Sequence, residues 1–148
     1  MDTLNTTKVG QLERKTQDRI VALFRDRLGY DYLGNFEERE ENNNVEEVYL
    51  RSFLLRSGHS ETLIGKAIEK LKKCTNRPQI SLYDLNKETY SLLRYSAKER
   101  EKLGEHKQDV EFIDWEHPEN NHFAIAEEVT IKGNRTKRPD IVLYVNGI

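Results

Sequence analysis

Residues 122–131 alternate in character. Phe123, Ile125, Glu127, Val129 and Ile131 fall on one side, and Ala124, Ala126, Glu128 and Thr130 on the other. That period of two predicts one continuous strand with a large-apolar face and a small or polar face. Further on, Asp140-Ile141-Val142-Leu143-Tyr144-Val145 is β-rich and nearly all apolar, which predicts a central, buried strand. Asn146-Gly147 follows it, the strongest short hairpin signal. A sheet is therefore required. The sequence stops at Ile148, directly after the turn. A central strand without its hairpin partner leaves a row of backbone groups unpaired. The chain is thus expected to be an N-terminal fragment of a larger protein, cut inside a hairpin.

The first half has a different period. Ile20, Leu23, Phe24 and Leu28 sit at helical spacing, and Gly29 closes the segment. Extending this helix backwards puts Glu13 and Gln17 on the same side as Ile20 and Phe24. A second helix is expected from Asn44 as N-cap, with Glu47 in capping-box position, to Gly58. A third starts at Ser60 and ends near Lys72-Lys73, where cations suit the helix dipole. Asn76-Arg77-Pro78 breaks the pattern. A fourth is expected from about Asn86 to Ala97. Val110, Phe112 and Asp114 then begin an alternating stretch, His117–Asn121 is a turn cluster, and Gly133-Asn134 opens a loop. The fold class is α+β (mixed α/β), helical over 13–97 and β-rich over 108–148.

The chain has 148 residues, enough for a single domain with its own core. One cysteine, Cys74, excludes an internal disulfide and a cysteine-based zinc site. No signal peptide or membrane-spanning run is visible, so a reducing cytoplasm is expected. With 24 basic and 26 acidic residues the formal net charge is −2, so contact with nucleic acid requires a local patch. Three charge runs stand out: acidic from Phe36 to Glu47, basic from Lys66 to Arg77, and basic at Lys132, Arg135, Lys137 and Arg138. Each also reads as a solvated face.

Several patterns bear on chemistry. Pro139-Asp140 stands at the mouth of the apolar strand, behind Lys137-Arg138. An aspartate there suits a divalent metal, and it equally suits a turn capping a strand. A second carboxylate and a lysine on the next strand would complete a hydrolytic site. Lys132, Arg135, Lys137 and Arg138 would hold a DNA backbone by charge. Asp114-Trp115-Glu116-His117 with Glu119 and His122 reads as a polar turn rather than a metal site. Gly29 to Gly34 has phosphate-loop spacing but lacks the Lys-Ser/Thr pair that works there, so no nucleotide site is assigned.

Five blocks follow in order: Glu13–Arg19, Leu28–Gly34, Ile113-Asp114-Trp115, Phe123–Val129 and Arg138–Gly147. Together they resemble the N-terminal nuclease region of the restriction (R) subunit of type I restriction-modification enzymes. The resemblance implies a restriction-endonuclease-like fold of the PD-(D/E)xK type, a mixed sheet flanked by helices, followed in the parent by ATP-driven motor domains. It implies a partnership with methyltransferase and specificity subunits and metal-dependent cleavage of double-stranded DNA with Mg2+. Pro139-Asp140 matches the start of the motif, so Asp140 is the implied catalytic, metal-binding aspartate. Glu13 matches an acidic residue that such enzymes place on an early helix beside the metal. Asp140 and Glu13 are then expected to enter one cleft, with carboxyl groups about 4–8 Å apart if they share a cation. Glu127 or Glu128 also faces the site on this reading, with no choice between them.

The family's Glu-x-Lys would lie after the Asn-Gly turn, and none follows Asp140. The motor domains are missing too, so ATP is a cofactor of the parent only, and the 148 residues alone are expected to be inactive. The competing reading is a non-catalytic DNA-binding or subunit-docking module, in which Asn44–Ala97 contacts partner subunits and Asp140 is structural.

Overall fold

A computed structural model describes the backbone of residues 3–75, 77–132 and 135–148 and, except at residues 3–9 and 75, their side chains. Asn76 and the Gly133-Asn134 loop opening lie outside the described residues. The fold is α+β, and the chain divides into two compact units. One comprises Met1–Asn44 and Phe123–Val145, the other Val45–His122 and Asn146–Ile148.

The first unit joins a long helix to a mixed sheet. Helix α1 spans Thr3–Ala22 and continues into a π-helical turn, Leu23–Arg27. Leu28 N–H reaches back to the Leu23 carbonyl at 3.1 Å, and Gly29 leaves the helix at φ +72°. Strands β1 (Asp31–Asn35), β4 (Phe123–Glu127) and β5 (Ile141–Val145) form the sheet, in order β1-β4-β5. β1 runs parallel to β4, and β5 antiparallel to it. Phe36, Ala124, Ala126, Val129 and Tyr144 make a core cluster.

Three expectations change here. β4 occupies the middle of the sheet and β5 its edge, where Leu143 is 44% exposed. The alternation over 122–131 does not give one continuous strand. Glu128 adopts φ +53°, which takes the chain out of extended geometry. The N–H groups of Glu128 and Val129 then bond the carbonyls of Asp140 and Pro139 at 3.0 and 3.2 Å. Pairing resumes only at the Ile131–Lys137 bridge. β1 is a strand within the stretch read as helical. Its Gly34 and Asn35 are poor strand formers, so pairing with β4 decides its conformation, with a register shift between Tyr32 and Gly34.

The second unit packs α2 (Glu47–Arg56), α3 (Glu61–Thr75) and α4 (Leu82–Tyr95) with a hairpin of β2 (Ala97–Glu99) and β3 (Gln108–Val110). Leu50, Leu54, Leu63, Ile64, Leu71, Val110 and Phe112 are buried in its core. Ser60 caps α3, accepting from Leu63 N–H at 3.3 Å. The expected capping box at Asn44 does not form, because Glu46 is the N-cap residue and its side chain makes no capping bond. Glu47 is instead bonded by Lys72 and Arg51, and these donors hold its carboxyl below the usual range. α4 starts at Leu82 rather than Asn86, because Ser81 accepts from Asp84 N–H at 3.1 Å. The Asp114 carboxylate accepts from His117 N–H and Asn120 Nδ2 at 2.8 and 2.9 Å, so this cluster is a hydrogen-bonded turn.

Candidate functional site

α1 carries Glu13 and Gln17 one turn apart on one side of the helix, with Glu13 exposed and Gln17 against the sheet. Gln17 is buried, with only 7% of its surface exposed. Its Nε2 donates to Glu127 Oε1 at 2.9 Å and lies 3.3 Å from both Glu128 Oε1 and the Asp140 carbonyl. One amide thus ties the helix to the end of β4 and the mouth of β5.

Glu127 is 4% exposed. A carboxylate this deep requires compensation, and both oxygens receive it. Gln17 serves Oε1, with Arg14 Nη2 at 3.7 Å, and the Tyr32 hydroxyl donates to Oε2 at 2.5 Å. Glu127 as acceptor, and then burial, push the Tyr32 hydroxyl up to about 12, so it keeps its proton at neutral pH. Glu128, its side chain only 13% exposed, pairs with Arg138 Nε at 3.1 Å. Arg138 also holds Glu37 at 2.8 Å, so its charge is largely matched.

Asp140 precedes β5, and its backbone is fixed by Glu128 N–H and Gln17 while its side chain is exposed. Glu13, Gln17 and Asp140 line one groove of about 500 Å³, with Leu12, Thr16, Ile20 and Ile141. Glu13 and Asp140 also line a smaller recess of about 230 Å³ beside Arg14, Glu128 and Arg138. Neither carboxylate has a hydrogen-bond or ion-pair partner among the described residues. Both side chains are exposed at the opening of the groove.

Among the described residues no group of three or more His, Cys, Asp or Glu side chains is arranged to hold a metal ion. Magnesium, however, is held in many sites by one or two carboxylates, with water and substrate phosphate filling the rest. Glu13 and Asp140 fit that pattern, whereas Glu127 is already saturated by protein donors. Of the basic run, Lys132, Arg135 and Lys137 are exposed and have no acidic partner among the described residues.

Gln17, Tyr32 and Arg14 were not singled out as site residues by sequence. Gln17 stood in helical register with Glu13, but nothing local to it signals a buried carboxylate far along the chain. Its role is measurable. Gln17→Leu is expected to cost about 1.5–3 kcal/mol, the range for a hydrogen bond to a charged group. In a double-mutant cycle with Glu127→Leu, read by urea unfolding, the pair should cost less than the sum by more than about 0.5 kcal/mol. Additive effects would show that the amide does not support the carboxylate.

These features define an α+β domain with paired, unbonded carboxylates at a strand entrance. The chain belongs to the family described as type I restriction enzyme R protein N terminus, which it matches over residues 10–148. No curated protein and no solved structure matches it significantly. Among the described residues no helix is long and apolar enough to cross a membrane.

Proposed function

We propose that the first unit supplies the Asp140 half of an endonuclease site that cuts double-stranded DNA within a type I R subunit. The observation that carries this reading is that Glu13 and Asp140, both without protein partners, line the same groove. Asp140 and Glu13 hold Mg2+, which when bound supplies positive charge for the scissile phosphate. Gln17 fixes the Asp140 backbone to α1 and so sets the separation of the two carboxylates. Lys132, Arg135 and Lys137 hold the DNA backbone by charge. ATP-driven motor domains and the methyltransferase and specificity subunits act with this region in the parent assembly.

Metal binding tests the proposal directly. Mn2+ titrated into the 148-residue chain, followed by electron paramagnetic resonance, is expected to show one site that Asp140→Asn and Glu13→Gln each weaken by about tenfold or more, the scale of losing support from a metal site. Equal Mn2+ affinity in both variants would overturn it.

A further inference from the structure

The basic run Lys66–Arg77 plays no part in the carboxylate groove. In the second unit it forms one wall of a different groove, about 750 Å³ in volume, between α3, α4 and the β2–β3 hairpin. Six cations line it: Lys70, Lys73, Arg77, Lys87, Lys98 and Lys107. Glu88 is the one acid among the lining residues. A chain with net charge −2 thus concentrates positive charge at one place, the local signature of a polyanion site.

We infer that this groove is a second, sequence-independent DNA-backbone site, separate from the residues proposed for cleavage. The inference rests on the reading of the chain as part of a DNA-cutting subunit. Three observations favour a phosphodiester chain over a single small anion. The cations come from three separate elements and are spread along a groove much larger than one phosphate. Three of the six cations are lysines held by ion pairs at the surface. Lys70 meets Glu99 at 3.2 Å, Lys73 meets Glu69 at 2.9 Å and Lys98 meets Asp109 at 2.8 Å. Such pairs are worth little, so phosphates can replace the carboxylates at small cost. Arg77 pairs with Glu88, the lining acid, whereas Lys87 and Lys107 have no acidic partner among the described residues. Tyr95, 67% exposed, adds a ring at the groove on which a sugar or base can rest.

The test uses the 148-residue chain and a short mixed-sequence duplex carrying fluorescein, with anisotropy measured over a series of salt concentrations. Lys87→Glu with Lys107→Glu removes the two cations that stabilise no ion pair, so the fold is retained, as circular dichroism can verify. Affinity is expected to fall about tenfold or more. The slope of log affinity against log salt should flatten by about 1.8, from two contacts at about 0.9 each. A parallel variant, Lys132→Glu with Lys137→Glu, reports on the first unit. If only that second variant weakens binding, the groove is not a DNA site while the nuclease reading stands. If neither variant changes duplex binding, both DNA contacts fail. If the Lys87/Lys107 variant loses poly-glutamate binding but keeps duplex binding, the groove takes an acidic protein segment and the inference is overturned.

Discussion

In a type I R subunit that carries these residues, Asp140→Asn is expected to lower DNA cleavage about 10²–10³-fold, the scale of removing one preorganised charge-handling group from a reaction centre. ATP hydrolysis should be unchanged, because that chemistry belongs to other domains. The substitution isolates chemistry from folding for a structural reason. The Asp140 side chain is exposed and bonds nothing among the described residues, while its backbone carbonyl keeps its contacts with Glu128 N–H and Gln17. Asparagine preserves the shape and removes the charge that a divalent cation requires. Glu13→Gln should have the smaller effect, about 10–100-fold, if Glu13 shapes the metal's surroundings from the helix. The readout is conversion of supercoiled plasmid to linear product in the presence of ATP, Mg2+ and the partner subunits. Undiminished cleavage by Asp140→Asn would place the site elsewhere and leave Asp140 as a strand-entry residue.

Local pattern reached some of this fold and stopped where distant contacts decide. α3 was legible because its cap, Ser60, and its apolar spacing agree. A sheet followed from two β-rich segments and its mixed character from the family resemblance, yet its order from neither. β5 is more apolar than β4, but β4 receives partners on both sides. Strand β4 stops at Glu127 although the alternation continues, because Pro139 and Asp140 draw the next two N–H groups out of line. The capping box at Asn44 was a reasonable local reading, defeated by Lys72 and Arg51 competing for Glu47. At the proposed site, Asp140 was read from the Pro-Asp motif and Glu13 from the family resemblance. Gln17 and Tyr32 did not, because their role is to satisfy a carboxylate that only the folded sheet buries.

Asn146→Leu is expected to be the most destabilising single change in the second unit, costing about 4–5 kcal/mol. Asn146 is fully buried, and its side chain joins three segments. Oδ1 accepts from His122 N–H at 2.7 Å, and Nδ2 donates to the Phe112 carbonyl at 3.0 Å and to Asn121 Oδ1 at 2.8 Å. Leucine leaves the His122 N–H and the Phe112 carbonyl without this partner, at about 1–3 kcal/mol apiece, while Asn121 Oδ1 keeps the Asp114 N–H at 2.9 Å. It also has to hold φ +53°, which costs a residue with a Cβ about 1–2 kcal/mol. Set against a typical total of about 5–15 kcal/mol, such a loss removes a large share of the stability. Urea unfolding followed by Trp115, the only tryptophan, reads this unit directly. The companion variant Asn146→Gly separates two explanations of the same dipeptide. As a turn signal, Asn146-Gly147 needs only positive φ at both positions, which it has at +53° and +84°, and glycine serves that need as well as asparagine. As a bridge, it needs the amide of Asn146 and the missing Cβ of Gly147, where an added carbon would meet the Glu46 carbonyl oxygen at 2.4 Å. If Asn146→Gly unfolds at the wild-type urea concentration, turn geometry alone accounts for the pair. A loss of about 3 kcal/mol or more shows that the dipeptide read from sequence as a turn is held in place by its buried hydrogen bonds.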